Sequence, residues 1–285
     1  MNIIFTKMHG LGNDFVVING IDQTINLTPE QIRFMSDRQF GIGFDQLLLV
    51  EKSDVEDTDF RYRIFNSDGG EVEQCGNGAR CFAHFVRNEN LTDKKEIAVI
   101  TKNGRLILNV EDNGNVTVDM GAPILEPAQI PFIANAGNED KAENVQQKSY
   151  SIQINQQNIE IGAVSMGNPH AVVIVDDTQS ADVEKLGKAI QESSYFPNSV
   201  NVGFMQVIDR QNIKLRVYER GVGETQACGT GACAAVVAGI VQGLLDSKVD
   251  VNLLGGNLSI SWAGDTNPVM MSGPTATVFK GMISL

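Results

Sequence analysis

The chain is poor in cysteine, histidine and tryptophan, with four, three and one of them in 285 residues. The cysteines (Cys75, Cys81, Cys228 and Cys233) form no C-x-x-C pair, which argues against a zinc ribbon or a thioredoxin-type motif. The histidines (His9, His84 and His170) make no H-E-x-x-H or similar ligand spacing, so no metal site is expected. Basic residues are scarce: 22 Lys+Arg against 35 Asp+Glu give a formal net charge of −13. With no Lys/Arg cluster, that balance argues against a nucleic-acid partner and against an anionic membrane surface. Long hydrophobic runs are missing too. The longest, Ala232 to Leu245, is too short to span a bilayer and carries Gln242 and Gly243. The N-terminus has no basic segment ahead of an apolar core, so no signal peptide is expected. A cytoplasmic location follows, where structural disulfides are rare.

What is present is an ordinary globular composition, 42% hydrophobic and 20% charged, enough to bury a core in one or two domains. Within it lies a repeat. Phe65-Asn-Ser-Asp-Gly-Gly-Glu-Val-Glu-Gln-Cys75-Gly-Asn-Gly-Ala79 and Tyr218-Glu-Arg-Gly-Val-Gly-Glu-Thr-Gln-Ala-Cys228-Gly-Thr-Gly-Ala232 align without a gap. Gly70 falls on Gly223, Glu71 on Glu224, Cys75 on Cys228, Gly76 on Gly229 and Gly78 on Gly231. The period is too long for a solenoid and marks two related halves. Each copy opens on an alternating apolar run, Phe60–Phe65 or Ile213–Tyr218, which reads as a strand. A glycine-containing loop follows, then a helical apolar run from Ala79 or Ala232. Each cysteine is therefore expected in a glycine-rich turn at a helix N-terminus. Unpaired N–H groups and the helix dipole favour an anion there, and are expected to lower the thiol pKa.

Strands are also expected over 3–7, 14–19, 45–50, 97–101, 105–110 and 116–120, then near 150–154, 158–164, 171–175, 201–208 and 213–219, with a last one in the tail 275–285. Thr28-Pro29-Glu30-Gln31 reads as a capping box opening a helix to about Arg38. A second polar-faced helix is expected over 180–192, turns at Asp112–Asn115 and Leu253–Asn257, and a solvated loop over 134–148. Gly121 through Pro131 is the expected crossing between halves. Many short antiparallel strands around few helices give an α+β class. The repeat extends weakly beyond the cysteines: Gly12-Asn13 resembles Gly167-Asn168, and Gln46 and Asn201 take similar places.

Two such thiols on either side of a small ligand, one ionised and one protonated, can remove a proton from one face of a tetrahedral carbon and return one to the other. Helix N-termini beside both would hold a carboxylate and stabilise charge growing on it. At this point the chain resembles the diaminopimelate epimerase family over nearly its whole length. The motifs are His9-Gly-Leu-Gly-Asn13-Asp-Phe, Phe65-Asn66, Glu73-Gln-Cys75-Gly-Asn-Gly-Ala-Arg80-Cys, Gly167-Asn-Pro-His170, Glu219-Arg220-Gly-Val-Gly-Glu-Thr and Ala227-Cys228-Gly-Thr-Gly-Ala. The resemblance implies cofactor-independent interconversion of LL- and meso-diaminopimelate, in bacterial lysine and peptidoglycan-precursor synthesis. It implies Cys75 and Cys228 as the acid/base pair, with His170 and Glu219 tuning them. Asn13, Gln46, Asn66, Asn168, Asn201, Glu219 and Arg220 would hold substrate, and the backbone of Gly76-Asn77 and Gly229-Thr230 the reacting carboxylate. The implied fold is two pseudo-symmetric domains, each a mainly antiparallel sheet wrapped around a central helix. They are expected over 1–123 with the returning strand 275–285, and over 124–274, with a homodimer as the expected assembly. Ser67, Gly70, Gln226 and Ser199-Val200 depart from the family's usual residues.

Two other readings stand beside this one: an isomerase of the same fold acting like a proline or hydroxyproline racemase, and a thiol redox-switch protein. Cys81 and Cys233 fall out of the repeat's register and read as core filling. His84 lies in an apolar helical run and reads as packed, whereas His9 and His170 lie in glycine turns. The asparagines of the Gly-Asn turns can serve simply by tolerating positive φ, and Glu219-Arg220 can be a surface pair.

Overall fold

In the computed structural model, which describes residues 1–72, 75–134 and 145–285, the chain divides into two units, Met1–Asp119 with Ser272–Leu285, and Met120–Met271. The first unit runs β1 (Asn2–Gly10), β2 (Asn13–Asn19), α1 (Pro29–Ser36), β3 (Gln46–Lys52), β4 (Phe60–Asn66), β5 (Glu71–Val72), α2 (Gly76–Asn88), β6 (Glu96–Thr101), β7 (Gly104–Val110) and β8 (Val116–Asp119). The second runs β9 (Tyr150–Ile154), β10 (Gln157–Ser165), β11 (Pro169–Ile174), α3 (Val183–Gln191), β12 (Asn201–Asp209), β13 (Asn212–Glu219), β14 (Gly223–Thr225), α4 (Gly229–Val241), β15 (Lys248–Leu253) and β16 (Gly256–Ser261). The chain passes back through β17 (Met270–Gly273) and ends in β18 (Ala276–Ser284).

The two units repeat one pairing scheme. In the first, β1 pairs antiparallel with β18 and β2, β2 parallel with β3, β3 antiparallel with β4, and β4 parallel with β6. In the second, β10 pairs antiparallel with β9 and β11, β11 parallel with β12, β12 antiparallel with β13, and β13 parallel with β15. Each parallel pair needs a crossover connection. In the first unit α1 and α2 supply them, in the second α3 and α4. The C-terminal β18 holds in the first unit the place that β9 holds in the second.

Among the described residues the four α-helices divide into two kinds. α2 contacts β1, β2, β3, β7 and β8, and α4 contacts β10, β11, β12, β13 and β16. Both are buried along most of their length; α4 is apolar all round, as a core helix should be, and α2 buries even Arg80. Cys81 and Cys233 lie on these two helices at 0% exposure and fill that core. α1 and α3 are amphipathic and cover apolar clusters built on Ile32, Met35 and Phe44, and on Val183, Ile190 and Phe196. The Thr28–Gln31 capping box opens α1. The helix stops at Ser36, short of the expected Arg38, because the Asp37 carboxylate accepts from the Gln39 and Phe40 N–H groups and turns the chain. α3 starts at Val183 because Asp182 caps it. Of the loop expected over 134–148, residues 135–144 lie outside the described residues. Among the described residues no helix is long and apolar enough to cross a membrane.

Candidate functional site

In the first unit three carboxamides line up at neighbouring strand ends. Leu11 and Gly12 take positive φ (57° and 90°), turn the chain, and start β2 at Asn13. The parallel register sets Phe15 opposite Gln46, and the next antiparallel pair sets Gln46 opposite Asn66. Gln46 Nε2 donates to Asn66 Oδ1 at 2.8 Å. Beyond β4 the chain reaches Cys75, which caps α2 in an extended conformation. Its Sγ accepts from the Gly78 N–H at 3.3 Å, and its S–H points to Asn13 Oδ1 at 3.9 Å. Asn77 Nδ2 donates to the same oxygen at 3.2 Å. Glycine is required at Gly78: a Cβ there would meet the Tyr62 hydroxyl at 2.5 Å, so α2 starts pressed against β4.

The Asn13 amide is held from behind. Its Nδ2 donates to Asp45 Oδ2 at 2.8 Å, an oxygen that also accepts from the Asp14 N–H at 3.1 Å. Arg38 grips both Asp14 oxygens at 2.9 and 2.8 Å and reaches Asp45 Oδ1 at 2.9 Å. Lys7 Nζ donates to Asp14 Oδ2 at 2.6 Å. Burial pushes the Asp14 carboxyl up, but Arg38 and Lys7 outweigh it and hold it well below the usual carboxylate range. Asp14 lies in the first motif without an assigned role, and Lys7, Arg38 and Asp45 lie outside the motifs. The signal was charge flanking Asn13 and Gln46 in otherwise apolar segments.

The second unit builds the equivalent cluster from different groups. Asn168 takes the place of Asn13, Asn201 that of Gln46, Glu219 that of Asn66 and Thr230 that of Asn77. His170 lies in β11 rather than in the expected turn, paired with Asn201 across the parallel register and 1% exposed. The turn is shorter, Met166 to Asn168, because Gly167 alone supplies the positive φ of 87°. His170 Nε2 lies 3.0 Å from Asn168 Oδ1, a bond in which the Nε2-protonated tautomer donates. Burial, helped by the Arg220 charge, brings His170 down to about 3, so the ring is neutral near pH 7. Asn168 Nδ2 donates to Thr230 Oγ1 at 3.4 Å, and that hydroxyl lies 3.6 Å from Cys228 Sγ. Asn201 donates to Pro169 O at 3.2 Å and accepts from the Arg220 N–H at 2.9 Å. Arg220 Nη1 donates to Asn198 O at 3.2 Å. Glu219 accepts from the Thr225 hydroxyl, a partner the motifs did not suggest.

Cys228 caps α4 and is 4% exposed. The expectation of a lowered thiol pKa is corrected here. Burial pushes the Cys228 thiol well up, the Glu219 charge adds to the rise, and the Thr230 hydroxyl and Gly231 backbone only partly oppose it. A helix N-terminus favours a thiolate, but desolvation beside a carboxylate costs it more. Each cluster thus pairs a thiol with amide groups and the N–H groups of a first helical turn. That combination can move a proton and hold an anion.

Residues 5–126 and 162–278 match the family model described as diaminopimelate epimerase. The sequence is similar over the full length of both chains to the diaminopimelate epimerases of Teredinibacter turnerae, at 57% identity over 100% of each, and of Nitrosomonas europaea, at 58% over 100% of each. Among solved structures it resembles a phenazine biosynthesis protein of the PhzF family from Bacillus anthracis, with TM-score 0.71 and 17% identity over 100% of each chain. It also resembles a hydroxyproline epimerase from Agrobacterium vitis, with TM-score 0.65 and 13% identity over 100% of this chain and 93% of that one. At such identity these two carry the fold alone, the sheet-dominated α+β class expected from the sequence.

Proposed function

The chain belongs to the diaminopimelate epimerase family, and from that premise we propose that it interconverts LL- and meso-diaminopimelate, using Cys75 and Cys228 as a two-base pair. It is an isomerase of the epimerase class. The observation that carries the two-base reading is the doubled cap: Cys75 and Cys228 each open the central helix of their unit, in loops of one sequence pattern. One sulfur, as thiolate, takes the α-proton; the C–H electron pair passes onto the substrate carboxylate; the other thiol returns a proton to the opposite face, leaving a thiolate behind. The first-turn N–H groups at Gly76-Asn77 and Gly229-Thr230 suit the growing negative charge. This reading asks for no cofactor. Glu219, whose charge raises the Cys228 thiol, would tune that thiol. His170 is neutral and acts through Asn168 and Thr230. Asn13, Gln46, Asn66, Asn168, Asn201, Glu219 and Arg220 would grip the amino and carboxyl groups of the substrate.

The test is incubation with LL-diaminopimelate in deuterated water, followed by NMR of the α-protons, with L-proline and trans-4-hydroxy-L-proline run alongside. Exchange with inversion of diaminopimelate alone is the expected outcome. Exchange of either proline compound in its place would overturn the substrate assignment. A homodimer in the cytoplasm completes the reading. Ile4, Val278 and Met282 are exposed on the paired strands β1 and β18, and give apolar surface that a second copy would cover. A monomer in sedimentation velocity would refute that part.

A further inference from the structure

The charged group beside Cys75 has no part in the chemistry above. Lys7 comes from β1, Asp14 from β2, and Arg38 and Asp45 from the segment between α1 and β3. All four are interlinked, and the links end on one carboxamide, that of Asn13. A carboxylate can only accept hydrogen bonds, so Asp45 Oδ2 at 2.8 Å takes the NH2 end of that amide. The oxygen end must then face the other way, toward Asn77 Nδ2 at 3.2 Å and Cys75 Sγ at 3.9 Å. An amide oxygen can accept from S–H and can only repel a thiolate. The amide left free to turn would present its NH2 instead and favour the ionised sulfur.

Among its described residues the second unit has no carboxylate counterpart to this lock. Val200 stands where Asp45 stands in the first, just before the amide residue that opens its strand. There Asn168 is held by a ring nitrogen on its oxygen and faces Thr230 with its nitrogen. The two amides are therefore fixed in opposite senses relative to their cysteine loops.

We propose that Asp45 is a positioning residue which, by locking the Asn13 amide with its oxygen toward Cys75, holds Cys75 as the thiol in the free enzyme. The proposal rests on the reading of Cys75 as an acid/base thiol. It concerns which form that thiol takes before substrate arrives. The negative charge of Asp45 acts in the same direction, so the experiment must separate the two routes.

The measurement is the pH dependence of iodoacetamide alkylation at Cys75, resolved by peptide mass spectrometry on the full chain without substrate. In Asp45→Ala the half-point is expected to fall by roughly half a pH unit or more. The fall should vanish when Asp45→Ala is made in an Asn13→Ala background, because the route through the amide is gone. Asn13→Ala alone keeps every ion pair of the cluster and should itself lower the half-point, so the proposal is testable even where Asp45→Ala does not fold. An unchanged half-point in Asp45→Ala or in Asn13→Ala overturns it. So does an equal fall in both backgrounds, which would mean that the charge acts through space. No substrate enters the assay, so its outcome is separate from whether the chain epimerises diaminopimelate.

Discussion

Cys81 and Cys233 sit inside the helices that Cys75 and Cys228 cap, so four thiols of one composition divide by position alone. Cys75→Ala and Cys228→Ala should each lower epimerisation at least roughly a hundredfold, the scale of a lost general acid or base. Cys81→Ala and Cys233→Ala should keep activity and lose about 1 kcal/mol in urea unfolding. An inactive, folded Cys81→Ala would mean that the pair is misassigned. The proposed pair stands out in the sequence because two matching loops repeat it. The raised pKa of the Cys228 thiol does not, since it comes first from burial, which is set by packing that the motif does not display. His170 offers a pH test. Its folded value, about 3, lies below the ordinary 6.5. Between those values the unfolded chain binds one proton more than the folded one. The stability contribution is full above about pH 6.5 and falls by about 1.4 kcal/mol per pH unit as acid is added. His170→Gln should flatten the acid limb of stability against pH by that slope. Parallel limbs for the two proteins would show that His170 titrates normally.

Strand and helix cores were read from alternation and from caps, and the ends were not. Lys248–Leu253 alternates cleanly in the structure, yet β15 is absent from the expectation, which stopped at the turn after it. β5 and β14 span two and three residues, too few for any periodicity to show. Glycine in the Cys-Gly-x-Gly loops was readable as a turn signal, but its packing role was not. Gly78 faces the buried Tyr62, and Gly231 faces Val217 and Cys228 itself, each at 3.2 Å from an added Cβ. Helix propensity alone predicts that Gly78→Ala gains up to about 1 kcal/mol. Crowding against the Tyr62 hydroxyl and Leu48 should outweigh that, at about 1–3 kcal/mol. Gly78→Ala is therefore expected to be destabilised in urea, with Tyr62→Phe in the same chain recovering part of the loss by opening space. Full stability of the single variant would show that α2 shifts away from β4 at little cost.

Two units of one pairing scheme, in one chain, leave the first unit dependent on a strand made last. The sequence repeat showed that the halves are related, and the family resemblance implied that the tail returns to the first half. The pairing itself was not legible, because which strand lies beside which is set by packing across long sequence separations. β18 pairs with β1 from Asn2–Ser284 to His9–Ala276. Its Ile283 and the following Leu285 pack on the cluster of Ile3, Phe5, Val16 and Ile18, and Phe279 meets Phe5 edge-on at 6.0 Å. In the second unit β9 does this work, from a hairpin with its own neighbour β10. Removing residues 275–285 should therefore strip one edge of β1 and expose apolar side chains of the first unit, while β9 to β16 keep all their partners. In hydrogen exchange read by mass spectrometry, peptides from β1 and β2 should lose protection, and those from β10 to β13 should hold it. Equal loss in both sets would mean that the two units unfold as one cooperative body. No loss in either would mean that β1 is held by β2 and the core alone.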